Sequence, residues 1–309
     1  MNSREKVLIR TSWISITGNA ILSLSKIVIG LFSGSMSVIG DGIDSATDVI
    51  TSIVILCTAR LVNRPPNTKY AFGYEKADTV ATKILSFVIF FAGIEMLMST
   101  AKSLIYSEER GLPSIMAIYV TLFSIFGKLL LSAYQNYQGK KTGSSMLIAN
   151  AKNMKMDVFI SISVLLGLFF TFILNAPWLD SLTGLLISLY IIKTSIEIFM
   201  DTNVVLMDGV KDTSIYQQII HAVELVPGAT NPHRIRSRQL GNLYVIGLDI
   251  ELDGNLSLYK AHEIAQAVED SIKENIDNIY DIIIHIEPVG VTHPKEKFGI
   301  DKSNFLPPL

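Results

Sequence analysis

Apolar residues gather into six long runs, at about residues 8–33, 37–62, 77–105, 112–137, 143–174 and 178–204. A helix needs about 20 residues to cross the hydrocarbon core of a bilayer, so each run predicts one spanning helix. Short connections join them, several marked by Gly, Pro or Asn. After residue 208 the rhythm changes. "TSIYQQIIHAVELV" reads as an amphipathic helix closed by "PGATNP". "HRIRSRQL" and "LYVIGLDIEL" alternate as strands do, with Gly241-Asn242 as the hairpin turn. "SLYKAHEIAQAVEDSIKENI" predicts a second amphipathic helix with Ser257 as its N-cap, and "IYDIIIHIEP" a last strand. The expected fold class is a membrane α-helical domain of six transmembrane helices, 1–208, and a C-terminal α/β domain, 209–290, of order α-β-β-α-β and ferredoxin-like. A loose tail, 291–309, should follow.

Composition sharpens this. The chain has 309 residues, is 49% hydrophobic and only 17% charged, which is too apolar for an ordinary soluble protein. Positive charge sets the orientation. Arg4, Lys6 and Arg10 precede the first span, Arg60, Arg64, Lys69 and Lys76 surround the second connection, and Lys140 and Lys141 lie in the fourth. The remaining connections are poor in Lys and Arg; "SEERG" has only Arg110. Both termini are therefore expected in the cytoplasm, with the cell membrane as the location. The first apolar run is too long for a signal peptide and lacks a small-residue cleavage site, so it reads as a retained span. A net charge of −2 argues against nucleic acid as a partner, and the single cysteine, Cys57, rules out a disulfide framework or a Cys-based metal site.

The stretch "GDGIDSATDVI" puts Asp41, Asp44 and Asp48 inside an apolar run. Asp44 and Asp48 are four residues apart and share one helix face. In "NAKNMKMDVFIS" of the fifth span, Asn153 and Asp157 have the same spacing. Two helices each offering such a pair can close a four-ligand site made only of oxygen donors. Ionised groups at membrane depth are expensive and mark ion pathways, and a divalent cation would neutralise them. Zinc favours imidazole and thiolate, whereas carboxylate and carbonyl suit manganese; magnesium holds its waters too tightly for a dry cage. The donor set leans to Mn²⁺, with zinc, iron and cobalt as alternatives. Asp41, three residues before Asp44, is not counted as a ligand.

These motifs resemble those of the cation diffusion facilitators. "DSATD" and "NMKMD" are similar to the family's transport-site motifs, "FGYEKAD" to the opening of its third span, and "HRIRSRQLGN", "AHEIAQAVE" and "IIIHIEP" to its C-terminal signatures. The resemblance implies a homodimeric transporter, not an enzyme, that moves metal out of the cytoplasm by alternating access in exchange for protons. Zinc exporters of the family commonly carry His where this chain has Asp44 or Asn153, so the all-oxygen site is similar to the manganese branch. Three further implications come from the resemblance. "NRPPNTKYAFGYEKAD" has no His, with Tyr70 and Tyr74 near positions where zinc members place one, so a peripheral metal site is expected to be absent. His233, Asp249, His262, His285 and Glu287 match a two-metal dimer site of some members, with Asp249 in place of a His. Lys76 and Asp208 match a pair that interlocks the third span with the end of the sixth. His221 and His293 match no motif, and Glu95 and Lys128 within the spans have no role assigned.

Two other classes compete. An intramembrane aspartyl protease also needs membrane carboxylates, but "GDGID" has the wrong glycine spacing for its motif, and a soluble tail with His and Glu on a strand is unexpected there. A metal sensor anchored by its spans would not need paired carboxylates on two of them.

Overall fold

The computed structural model describes residues 3–62, 64–105, 111–142, 145–241, 243–290, 299–301 and 304. Asn242 of the expected turn, His293, Arg110 and most of the 291–309 tail lie outside the described residues. Two compact units emerge: Met1–Cys57 with Thr82–Phe199, and Thr58–Ala81 with Met200–Leu309.

Six long helices follow the six apolar runs: α1 (Ser3–Ser33), α2 (Met36–Val62), α3 (Ala77–Ile105), α4 (Met116–Thr142), α5 (Ser145–Ile173) and α6 (Trp178–Leu206). All but α2 contain a described stretch long and apolar enough to cross a membrane. The exception is the helix that carries Asp41, Asp44 and Asp48. Within the first unit α4 packs on both α5 and α1. Glycines let α1 and α4 approach closely, as small residues do between membrane helices. A Cβ on Gly18 would stand 2.7 Å from Leu131, and one on Gly127 2.8 Å from Leu22.

Asp180, in the first turn of α6 and 3% exposed, caps α2. Its carboxylate accepts from Ser35 Oγ at 2.7 Å, Met36 N at 2.7 Å and Ser37 Oγ at 2.5 Å. An anion at a helix N-terminus satisfies orphan N–H groups and complements the helix dipole.

In the second unit, α7 (Ser214–Glu224), β1 (Thr230–Leu240), β2 (Leu243–Leu252), α8 (Leu258–Asn275) and β3 (Ile279–Pro288) give the order α-β-β-α-β. Ser257 caps α8, accepting from Lys260 N at 3.3 Å. The sheet order is β1-β2-β3, antiparallel between β1 and β2 and parallel between β2 and β3, with α8 as the crossover. Alternation sends Ile246, Leu248, Ile250 and Leu252 into a core with Ile219, Val223, Val268 and Ile272. The odd-numbered positions of β2 and β3, Asp249 and Glu287 among them, therefore share the sheet's other face. Within the stretch expected to be loose, Ile300 pairs with Ile235 of β1, and Asp301 accepts from Arg234 N at 2.8 Å.

Candidate metal centres

In the first unit, Asp44 and Asp48 stand one turn apart on α2, and both carboxylates lie within electrostatic range of Asp157 on α5. Asp48 is within hydrogen-bonding reach of Asp157. Asp44 is half-buried and Asp48 exposed. Asn153, the fourth expected donor, is exposed one turn before Asp157. The i, i+4 spacing on α2 thus gives Asp44 and Asp48 one helix face, within electrostatic range of Asp157 on α5.

Two lysines that enter this cluster change its electrostatics. Lys128, on α4 and 1% exposed, donates from Nζ to Asp157 Oδ2 at 3.0 Å. Lys26, on α1, pairs with Asp41 Oδ1 at 2.8 Å, and neither side chain has any exposed surface. Lys26 also donates to Ser45 Oγ at 2.8 Å, to the Asp41 carbonyl at 3.3 Å and to Ser161 Oγ at 3.4 Å. Ser161 Oγ lies 2.9 Å from both Asp41 oxygens. Asp41, which the sequence reading did not count as a ligand, is therefore engaged in an internal network. The reading of the chain left Lys128 without a role and passed over Lys26. A lone lysine in the middle of an apolar run was the available signal.

The second unit holds the one group of three metal-binding side chains that closes tightly among the described residues. Donor atoms of His233, Asp249 and Glu287 all lie within 4.8 Å of one another. Sheet register builds it: His233 on β1 is the Cα partner of Asp249 on β2, which is in turn the partner of His285 on β3. His233 Nε2 lies 3.2 Å from Glu287 Oε2, and His285 Nε2 lies 3.5 Å from Glu287 Oε1. His233 Nδ1 is 2.8 Å from the Asn231 carbonyl; a proton there leaves the Nε2 lone pair for a metal. Asp249 and Glu287 are buried, whereas His285 is 63% exposed. His262, on α8, is exposed and does not join the group.

Arg234 also reaches this face, with Nη1 at 2.5 Å from Asp249 Oδ2 and 3.9 Å from Glu287 Oε1. Simple alternation would put His233 and Arg234 on opposite faces. The strand bulges here, with register shifts on both sides of His233 and a positive φ of 49° at Arg234. A bulge inserts an extra residue and re-aims its side chain, so both residues address Asp249. One imidazole and two carboxylates are donors that could hold a divalent metal, with the Arg234 guanidinium resting on one Asp249 oxygen.

Lys76 Nζ meets Asp208 Oδ1 at 2.5 Å, with Arg238 Nη1 3.9 Å from the other oxygen. Both members are partly exposed, at 29% and 53%. In the connection after α2, the Tyr70 and Tyr74 rings pack with centroids 4.7 Å apart. Glu95 and His221 are exposed on α3 and α7.

Comparison with known proteins agrees with this architecture. Residues 12–207 match the cation efflux transmembrane domain, and residues 212–289 match the cytoplasmic domain of cation efflux proteins. The manganese efflux system protein MneS of Bacillus subtilis is 30% identical over 280 residues, covering 89% of this chain and 94% of the relative. MneP of the same organism, also a manganese efflux system protein, is 26% identical over 293 residues, covering 93% and 98%. A transporter of Methanocaldococcus jannaschii, MJ0449, is 30% identical over 290 residues, covering 94% and 100%. With six long helices followed by an α-β-β-α-β domain, and with both family domains matched in order, the chain belongs to the cation efflux family, the cation diffusion facilitators: integral membrane transporters of divalent metal ions.

Proposed function

We propose that this transporter exports manganese from the cytoplasm in exchange for protons, as a homodimer in the cell membrane with both termini cytoplasmic. The observation that carries the metal assignment is the donor chemistry of the spans. Asp44, Asp48 and Asp157 face one another, and no imidazole or thiolate accompanies them among the described residues. Such a set favours a hard cation over zinc. Two relatives described as manganese efflux proteins support the same reading. Lys and Arg concentrated before α1 and in the second and fourth connections support the orientation. The match to the cytoplasmic domain supports the dimer, with His233, Asp249 and Glu287 as metal ligands and His285 beside them.

Proton exchange follows from charge balance. Three carboxylates in a low-dielectric site cannot all stay ionised without a cation. Each state of the cycle neutralises them with metal, with protons or with a neighbouring cation. Alternation between metal and protons then drives export from the proton gradient alone.

The test is transport by purified protein in liposomes across a panel of divalent metals, with and without a pH gradient. Manganese should lead, and a gradient that supplies protons on the receiving side should accelerate it. Asp48→Ala and Asp157→Ala should each abolish transport. Transport that survives both substitutions, or that ignores the gradient, defeats the proposal.

A further inference from the structure

Lys128 is charged, 1% exposed and bonded to a single acceptor among the described residues, Asp157 Oδ2 at 3.0 Å. Lys26 provides the contrast. It has four oxygen partners and is sealed from solvent, so it has no reason to move. Asp157 retains 18% exposure and faces Asp44 and Asp48, so its Lys128 partner sits where an arriving cation must bind. A metal ion on Asp157 would stand beside the Lys128 ammonium, and their like charges repel at that distance.

A displaced ammonium needs a second acceptor, because an unpaired buried charge is strongly disfavoured. One is present. Ser124 lies four residues before Lys128 on α4, so it shares its face, and lysine side chains on a helix lean toward the N-terminus. Ser124 is fully buried, and its Oγ has no hydrogen-bond partner. A buried hydroxyl without a partner is open to one that arrives in another state.

We propose that Lys128 is a tethered counter-cation of the transport site, holding Asp157 when metal is absent and moving onto Ser124 Oγ when metal binds. Its return to Asp157 competes the metal off and so speeds release. This inference rests on the reading of Asp157 as a metal ligand.

The experiment measures Mn²⁺ affinity of the purified full-length protein by calorimetry, beside liposome transport, with Asp249→Ala present throughout to silence the sheet site. Lys128→Met removes the competitor. A hydrogen bond to a charged group corresponds to roughly tenfold to hundredfold in affinity, so Mn²⁺ should bind at least about tenfold tighter while turnover slows. Lys128→Arg keeps a competing cation and should restore affinity and turnover toward the natural protein. Ser124→Ala deprives the displaced ammonium of its acceptor and should weaken Mn²⁺ binding by about fivefold. A purely structural lysine would not give shifts of opposite sign. Unchanged or weaker Mn²⁺ affinity in Lys128→Met overturns the proposal. If that variant does not fold, unchanged affinity in Ser124→Ala overturns it instead. Asp157→Asn separates the two readings. Intact Mn²⁺ binding in that variant defeats the transport-site assignment itself. Lost binding there, with no change in the Lys128 and Ser124 variants, defeats only the counter-cation.

Discussion

On the sheet face, His233, Asp249 and Glu287 hold their donor atoms within 4.8 Å of one another; in the spans, Asp44, Asp48 and Asp157 do not close to that distance. The difference lies in what carries the side chains. Three strands locked by backbone hydrogen bonds fix their cross-strand partners, so register together with the bulge at His233 preforms the group. The membrane carboxylates stand on two helices whose only shared constraint is side-chain packing, and helices can shift against one another. Both places also hold a built-in cation, Lys128 against Asp157 and Arg234 against Asp249. Carboxylates gathered at low dielectric carry a counter-charge in either architecture.

The comparison can be broken at the ion pairs. The largest effect is expected from Lys26→Met, which strands Asp41 in a fully buried network. Removing one partner of a buried pair costs about 3–5 kcal/mol, and thermal unfolding in detergent should fall accordingly. The double variant Lys26→Met with Asp41→Asn should recover part of the loss. A Lys26→Met protein as stable as the natural one would show that this pair is not structural.

The sheet site is tested by adding metal to the fragment 209–309. A ligand that binds only the folded state, at a concentration of 100 times its Kd, adds about 2.7 kcal/mol of stability. Mn²⁺ or Zn²⁺ should therefore raise the melting temperature, and Asp249→Ala should remove the rise. No shift with any divalent metal would leave the domain as a dimerisation module, with Arg234 as the permanent occupant of its carboxylates.

Metal choice sharpens the contrast between imidazole on the sheet and oxygen in the spans. Asn153→His should raise zinc transport relative to manganese by about tenfold, at the low end of what a change around a metal does to affinity. An unchanged metal ranking would mean that Asn153, exposed as it is, does not set selectivity. The smallest effect belongs to Lys76 and Asp208. Their partly exposed pair should contribute under about 1 kcal/mol to the stability of one chain. A Lys76→Ala loss several times larger would assign the pair to an assembly in which it is buried.

Much of the architecture was legible because it is written in short-range periodicity. Apolar runs of span length became α1 to α6, and strand alternation separated core isoleucines from the Asp249 face. The i, i+4 aspartates and the i, i+2 pair of His285 and Glu287 reached shared faces by helix and strand geometry alone. What stayed hidden was non-local. Arg234 joined the sheet site through a bulge that broke the alternation on which the reading depended. Asp180 found its role 145 residues away, at Ser35.

By itself, then, the sequence determined the elements, their faces and the donor types that each face carries. These depend only on residue spacing along one helix or strand. Only the tertiary structure decided how charge is balanced. It placed Lys26 beside Asp41, Lys128 beside Asp157 and Arg234 beside Asp249. The physical reason is that a buried charge is neutralised by whatever lies within a few ångströms. Between α4 and α5 that neighbour comes from 29 residues along the chain, a separation that no local pattern encodes.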